Sequence, residues 1–443
     1  LRDTMNNQMW VGVTPITTAV RDDKILNTYE ATLGGYVFTD KLWFFGAGRS
    51  SKTSAARQFY ITDEHYQYNQ EQTRYEGKLT WSLTADHRFI GSYFQREVKE
   101  ANYGFSVSGL KFAGTPSIYD RSQPEELMAF NYTGVLSDNF FVEGQYSQRK
   151  FTFLNSGSRY TDIQNGTPLE DFSNYAEGLV YGSPIFCAVC PGAGETRDNQ
   201  DILVKGSWFL STAGAGSHDI VLGFDQFEDK RKANNWQSGS SYQLIVDGEV
   251  LNDDGTLKVD STGTPYPVLI SGTDNSWFNY TPIFELTTGN NFQTQSIFLN
   301  DRWRLNNNWS FNIGLRYDKN HGVNASGAVT SDDSKISPRL GVTFDPKGDG
   351  EWLFNASYGE YVMSISNSQG DASAAGGQPA SLYYNYYGPD INTPEEIAAG
   401  RLLDYKAAIQ KAYDWFSSLT QAQQNELLSY ASVPGVNAVI LKS

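Results

Sequence analysis

QTQSIFLNDRWRL (Gln293–Leu305), NNN (Asn306–Asn308) and WSFNIGLRYD (Trp309–Asp318) follow one another without a break. Successive side chains of a strand point to opposite faces. Read that way, the last segment puts Trp309, Phe311, Ile313, Leu315 and Tyr317 on one face. Ser310, Asn312, Gly314, Arg316 and Asp318 take the other. A strand that is apolar on one side and polar on the other needs an apolar medium on one side only. The three asparagines between the two runs read as a tight turn, so the stretch is a hairpin.

The same unit recurs along the chain. Thr28–Phe38 pairs with Leu42–Arg49 across Thr39-Asp40-Lys41, and Arg74–Leu83 with Arg88–Arg96 across Thr84–His87. Met128–Leu136 pairs with Phe140–Phe151 across Ser137-Asp138-Asn139, and Ile202–Ser211 with His218–Phe227 across Thr212–Ser217. Ser337–Asp345 pairs with Trp352–Val362 across Pro346–Gly350. Leu42–Arg49 and Arg88–Arg96 carry apolar residues on both faces and are assigned through their partners. Runs of about 9–11 residues are what a tilted strand needs to cross a bilayer. Between the hairpins lie Ser50–Thr73, Glu97–Leu127, Thr152–Asp201, Glu228–Phe292 and Lys319–Ile336, rich in Gly, Ser, Asn, Asp and Tyr. Short turns on one side and long connections on the other are the mark of an outer-membrane barrel, with the long loops outside the cell. The predicted fold is all-β: an antiparallel transmembrane β-barrel over residues 1–363, in six hairpins, with outer-membrane lipid against its apolar face.

Composition agrees. The 443 residues include only 39% hydrophobic side chains, yet 14% are aromatic, with 27 Tyr, 26 Phe and 10 Trp. No stretch approaches the roughly 18 consecutive apolar residues of a membrane helix. Tyr and Trp in excess suit the girdles of a barrel. The net charge of -16 argues against nucleic acid as a partner, since phosphate binding needs clustered Lys and Arg. Leu1–Asn27 has no apolar signal-peptide core, and Val436–Ser443 lacks a closing aromatic, so the chain reads as an internal stretch cut at both ends.

Residues 364–443 differ, and are predicted to be an extracellular loop region with a helical hairpin. Ser364–Gln378 is rich in Gly, Ser and Ala, and Tyr383–Pro389 is an aromatic patch ending in a turn. Thr393-Pro394-Glu395-Glu396 reads as a helix start, with Thr393 as cap, Pro394 at the first position and Glu396 completing a capping box. That helix is expected to run to about Phe416, with Ile397, Leu402, Leu403, Ala407, Ile409 and Tyr413 as its apolar stripe. A second is expected over Gln421–Ala431, capped by Thr420.

Catalytic signatures are missing from the sequence. His65, His87, His218 and His321 are scattered without metal-ligand spacing, and Gly104–Gly109 lacks the last glycine of a nucleophile elbow. No enzyme activity and no cofactor are expected. Asp253-Asp254-Gly255 reads as a β-turn rather than a calcium loop, which would need ligands at EF-hand spacing. Cys187 and Cys190 fall in a long outer loop. They read as a small loop disulfide, with redox or metal work as the alternative. Arg74, Glu76, Lys78, Arg316 and Arg339 occupy polar, lumen-facing positions. Trp236, Tyr242, Trp277, Tyr280, Tyr383 and Tyr386 sit in outer loops, where they either pack the loops or stack on a ligand.

Phe298-Leu299-Asn300-Asp301-Arg302-Trp303-Arg304-Leu305 and Asn312–Asp318 resemble the QDRWR…GLRYD hairpin of TonB-dependent outer-membrane receptors. Ser337–Val342 stands where that family has its SPRLG strand, and Phe344–Gly350 with Ala356–Gly359 match the next turn and strand. The long loops and Tyr387-Gly388-Pro389-Asp390 look most like the Oar-like branch. The resemblance implies a barrel of about 22 strands, of which the hairpins above make roughly half. It also implies an N-terminal plug, which the lumen-facing polar residues would contact, and coupling to the TonB complex through a segment this sequence does not contain. The function implied is import of a bulky solute such as a siderophore, a glycan or a peptide. A surface-adhesion or secretion-associated barrel is the alternative.

Overall fold

A computed structural model describes residues 26–59, 62, 64–104, 111–172, 178–362 and 374–436, with the backbone alone of Met9–Val11, Thr14–Ile16 and Ile440–Leu441. The dominant element is a 12-stranded antiparallel sheet in which every strand pairs with its neighbour in sequence. Its strands are β1 Thr28–Phe38, β2 Leu42–Gln58, β3 His65–Ser82, β4 His87–Tyr103, β5 Tyr119–Ser137 and β6 Phe140–Phe153. They continue as β7 Glu195–Thr212, β8 Gly216–Lys232, β9 Asn290–Arg304, β10 Trp309–Val323, β11 Val329–Phe344 and β12 Phe354–Gly359. All the hairpins read from the sequence are present. The sheet is not closed on itself among the described residues.

The strands outrun their apolar bands. Ser50–Thr73 and Lys319–Ile336, expected as loops, are mostly strand. β2 and β3 stay paired from Leu42↔Trp81 to Gln58↔His65, and β10 and β11 up to Val323↔Val329. The extra length is polar on both faces, so apolar alternation gives no sign of it. Cross-strand ladders and side-chain pairs such as Lys52 with Glu71 and Ser54 Oγ with Asn69 (2.9 Å) carry it instead. Both ends of Glu97–Leu127 are likewise strand, in β4 and β5. β12 is shorter than the expected Trp352–Val362.

Register sorts the side chains as the alternation predicts. Leu222, Leu299, Leu315 and Pro338 form one cross-strand row, with Phe224, Ile297, Tyr317 and Ile336 in the row above. Leu299 and Leu315 remain about half exposed, at 51% each. Near the short turns the same face becomes aromatic. Trp303 lies 5.0 Å from Phe311, and Trp309 stacks on Phe344 at 4.3 Å. The turns carry their own hydrogen bonds. Asn306 Oδ1 accepts from the backbone N–H of Asn308 and Trp309, both at 2.9 Å. Asp345 gathers the N–H groups of Lys347, Gly348 and Gly350, and Gly348 and Gly350 supply the positive φ that this turn requires.

The long connections are folded. They build an 8-stranded sheet ordered Ile440–Leu441, Leu428–Ser432, Ser381–Asn385, Trp277–Tyr280, Tyr242–Ile245, Leu169–Asp171, Leu179–Tyr181, Lys111–Ala113. Besides the single turn α1 (Ile163–Gly166), three α-helices among the described residues accompany it: α2 Pro394–Ala398, α3 Tyr405–Ser418 and α4 Gln421–Leu427. The main hydrophobic core lies here and not in the wall. Leu169, Leu244, Leu269, Phe278, Tyr386, Ile391, Ile409 and Phe416 are all buried in one cluster. The single helix expected to Phe416 is broken. α2 ends before Gly400, at φ 73, and Asp404 caps a fresh helix by accepting from Ala407 N–H at 2.8 Å. The break resets the stripe, so α3 buries Tyr405, Ala408, Ile409, Ala412 and Phe416. Thr393 caps α2, but Glu396 pairs with Arg401 (2.7 and 2.8 Å) instead of closing a capping box. Thr420 and Gln423 do form one. α4 stops at Leu427, and the residues expected to continue it are strand Leu428–Ser432.

Candidate functional site: polar wall and outer vestibule

The polar face of the sheet is a lattice of paired charges. Arg316 donates from Nε to Asp318 (2.7 Å), and from Nη2 to Ser296 Oγ (2.6 Å) and Asp225 (3.1 Å). Arg74 bonds Glu76 at 2.6 Å and lies 4.9 Å from the Phe94 ring centroid. Lys78 shares their face, opposite Phe45 and Ser92. Arg339 stands over Tyr361 at 4.8 Å, and its Nε has no hydrogen-bond partner among the described residues. With Asp219, Asn300, Arg302 and Asn312 it lines a cavity of about 440 Å³. So alternation places all five sequence-derived candidates on one wall, but only Arg74 and Glu76 touch each other.

The strongest knots on that wall were not legible in advance. Glu125 accepts from Arg96 (2.6 Å) and Arg149 (2.7 Å), which come from flanking strands. Lys205 meets Glu143 at 2.6 Å, and Lys335 meets Glu360 at 2.8 Å. Cross-strand register would have revealed them, since it sets opposite charges side by side.

Toward the outer end the wall becomes a vestibule. Arg121, Arg197 and Arg231 line a cavity of about 310 Å³ together with Glu195, Phe153 and Trp236. Arg121 bonds Glu100 at 2.5 Å, while Arg197 and Arg231 share Glu195 at 2.6 and 2.8 Å. Arg197 lies 5.0 Å from the Phe153 ring. Arg121, Arg197 and Arg231 thus meet Glu100 and Glu195 around this cavity. Cys187 and Cys190 are joined as a disulfide beside it, and Trp236 Nε1 donates to the Pro191 carbonyl next to that bridge at 3.2 Å.

The outer aromatics divide. Tyr242 stacks on Tyr280 at 4.7 Å and meets Tyr413 edge-on at 5.5 Å. Tyr386 is fully buried, donates to the Pro389 carbonyl at 2.6 Å, and has its phenol pushed up, by burial first and Asp390 second. These three are core residues. Trp236 and Tyr383 line cavities, and Trp277 is half-buried on the sheet face away from α3. Among the described residues no group of three or more His, Cys, Asp or Glu could hold a metal ion. Asp254 is a turn residue that accepts from Thr256 Oγ1 (2.6 Å) and N–H (3.0 Å). No described helix is long and apolar enough to cross a membrane.

Residues 194–398 match the family described as TonB dependent receptor-like, beta-barrel. Over 414 aligned residues the chain is 22% identical to the TonB-dependent transporter Oar of Myxococcus xanthus, covering 77% of this chain and 38% of that protein. The outer membrane transporter YddB from Escherichia coli superposes with a TM-score of 0.49 at 11% identity, over 82% of this chain and 45% of that one. The siderophore receptor PirA from Acinetobacter baumannii gives 0.44 at 13%, over 82% and 47%. The chain thus spans less than half the length of each of these proteins.

Proposed function

We propose that this chain, whose residues 194–398 match the β-barrel of TonB-dependent receptors, forms part of an outer-membrane receptor that binds a bulky external solute and imports it. The observation that supports this best is the pairing of a charge-latticed inner wall with a folded outer module that leaves a vestibule between them. Arg121, Arg197 and Arg231 would hold the solute first, over the Phe153 ring. The lattice around Arg316 and Glu125 would then face a gating plug and the passing solute. Energy would come from the TonB complex. Siderophores, glycans and peptides all remain within this reading.

A second reading, a surface-adhesion or secretion-associated barrel, is favoured by the outer module having its own core, which a simple entry funnel does not need. Solute accumulation in cells carrying the complete receptor, with and without TonB, separates the two. Uptake that collapses without TonB supports import. Unchanged uptake together with TonB-independent attachment of cells to surfaces would replace it with adhesion.

A further inference from the structure

On the membrane side of the wall one stretch is hollow. Leu79, Phe130 and Tyr146 share a cross-strand row with Gly91, and Trp81, Phe89 and Tyr132 share the next with Gly144 and Val204. Leu79 and Trp81 alternate with Lys78 and Thr80 of the polar face, so both rows point toward lipid. Trp81, Phe89 and Tyr132 follow one another at 5.6 and 4.9 Å between ring centroids, as part of the aromatic girdle above the short turns. The girdle breaks at Gly144, where no atom lies within 4 Å of the place a Cβ would take. A groove of about 770 Å³ opens there, walled by Leu79, Trp81, Phe89, Phe130, Tyr146 and Val204. Leu79, Phe130 and Val204 are about half exposed, so no described residue covers it.

The lower end of the groove is polar. Tyr132 turns its hydroxyl toward the short turn and meets His87 Nδ1 at 2.9 Å. Gly134 makes this possible, since a Cβ there would collide with the Tyr132 hydroxyl. The pair holds one donor more than it uses. If the Tyr132 O–H donates to Nδ1, the imidazole carries its own proton on Nε2. If Nδ1–H donates, the phenol O–H is left over. Both side chains are partly exposed, so either tautomer offers a donor beside the girdle. The girdle marks the boundary between hydrocarbon and headgroups, and the short turns below it lie on the periplasmic side. An occupant of this groove therefore needs an apolar part above Gly144 and a hydrogen-bond acceptor just below. A phospholipid of that leaflet has both, in an acyl chain and in phosphodiester oxygens that accept and do not donate.

We propose that this groove holds one phospholipid of the periplasmic leaflet, with an acyl chain lying over Gly144 and the phosphate accepting from the Tyr132–His87 pair. The proposal needs the outer-membrane placement of the wall and is independent of whether the receptor imports a solute. The complete receptor is extracted from outer membranes in a mild detergent, washed with excess detergent, and weighed by native mass spectrometry. It is then stripped and reloaded from micelles of phosphatidylethanolamine, phosphatidylglycerol or diacylglycerol. The expected result is one phospholipid retained per receptor, and at least tenfold less in Gly144→Phe, which fills the groove. Ile336→Phe, on the same face but outside the groove, should retain it unchanged. His87→Ala is expected to lower retention about threefold or more, and decides the matter if Gly144→Phe does not fold. Diacylglycerol, which has the chains without the phosphate, should reload about threefold or more weakly. Absence of retained phospholipid, the same retention in folded variants, diacylglycerol reloading as well as phospholipid, or lipopolysaccharide or a peptide in its place overturns the proposal. Phospholipid retained without TonB-dependent uptake would leave this site standing and remove only the import reading.

Discussion

Leu315→Arg tests the placement of the membrane. Leu315 lies between Leu299 and Pro338 on the neighbouring strands, with Ile313 below and Tyr317 above on its own. The apolar band of β10 runs from the aromatic cluster at Phe311 up to Tyr317, and Lys319 is the next residue of that face, so Leu315 is near its middle. Lys319 is four residues away, about 13 Å along the strand, too far for an arginine to snorkel fully into water. A cation at the midplane of a barrel costs about 2–4 kcal/mol. The ratio of folded to unfolded receptor should then fall roughly 30- to 700-fold, at about 1.4 kcal/mol per factor of ten. Asn312→Arg is the control on the polar face. It stands opposite Arg302, and Asp219 faces Arg302 from the next strand, beside an open cavity. A like-charge cross-strand pair costs only about 0.2–1 kcal/mol. Urea titrations of the complete receptor folded into lipid vesicles measure both. Equal losses, or a larger loss for Asn312→Arg, would falsify the facing assigned to this wall.

Three further outcomes follow from the outer module and the wall. Phe278→Ala removes a buried ring that stacks on Phe416 at 4.9 Å, and should cost the module about 3–5 kcal/mol, read as faster hydrogen exchange in α3 while the wall strands stay protected. Burial lifts the Glu170 carboxyl from 4.5 to about 7. Folded protein then holds a proton that unfolded chain releases, so module stability should fall as pH rises between those values, by on the order of 3 kcal/mol. Thermal melts at pH 5 and 8 should differ for the native chain and converge in Glu170→Gln, and an unchanged difference would contradict the assignment. Glu125→Ala leaves Arg96 and Arg149 without their shared carboxylate, at a cost of about 1–3 kcal/mol. Glu125→Gln should restore part of it in the same urea titration.

What could be read from the sequence was set by what the medium demands. Lipid requires apolar residues on alternate positions, so β8 to β11 announce themselves through Leu222, Leu299, Leu315 and their neighbours. Beyond the bilayer the same strands face water on both sides. Alternation then carries no information, and β2 and β3 were expected to end where their apolar band does. The outer sheet was illegible for another reason. Leu179–Tyr181 pairs in parallel with Lys111–Ala113, and Leu169–Asp171 with Tyr242–Ile245, across long stretches of sequence. Segments of three or four residues do not reveal such partners. Gly400 marked the helix break, but only the cap at Asp404 explains why a new helix starts. The hydrogen bonds from Asn279 to Gln243 and from Gln243 to Glu170 join residues from two separate connections, which no local pattern could have joined.

The two sheets also differ in when they can form. Each wall strand needs only the strand before it, so the wall can grow by one neighbour at a time as the chain arrives. The outer sheet takes Lys111–Ala113 from after β4, Leu169–Asp171 and Leu179–Tyr181 from after β6, Tyr242–Ile245 and Trp277–Tyr280 from after β8, and Ser381–Asn385 and Leu428–Ser432 from after β12. Bringing those ends together costs far less once the hairpins beneath already hold their tops side by side. The outer sheet therefore acts as a clasp that closes last, and one misplaced hairpin below would leave it open for quality-control proteases to find.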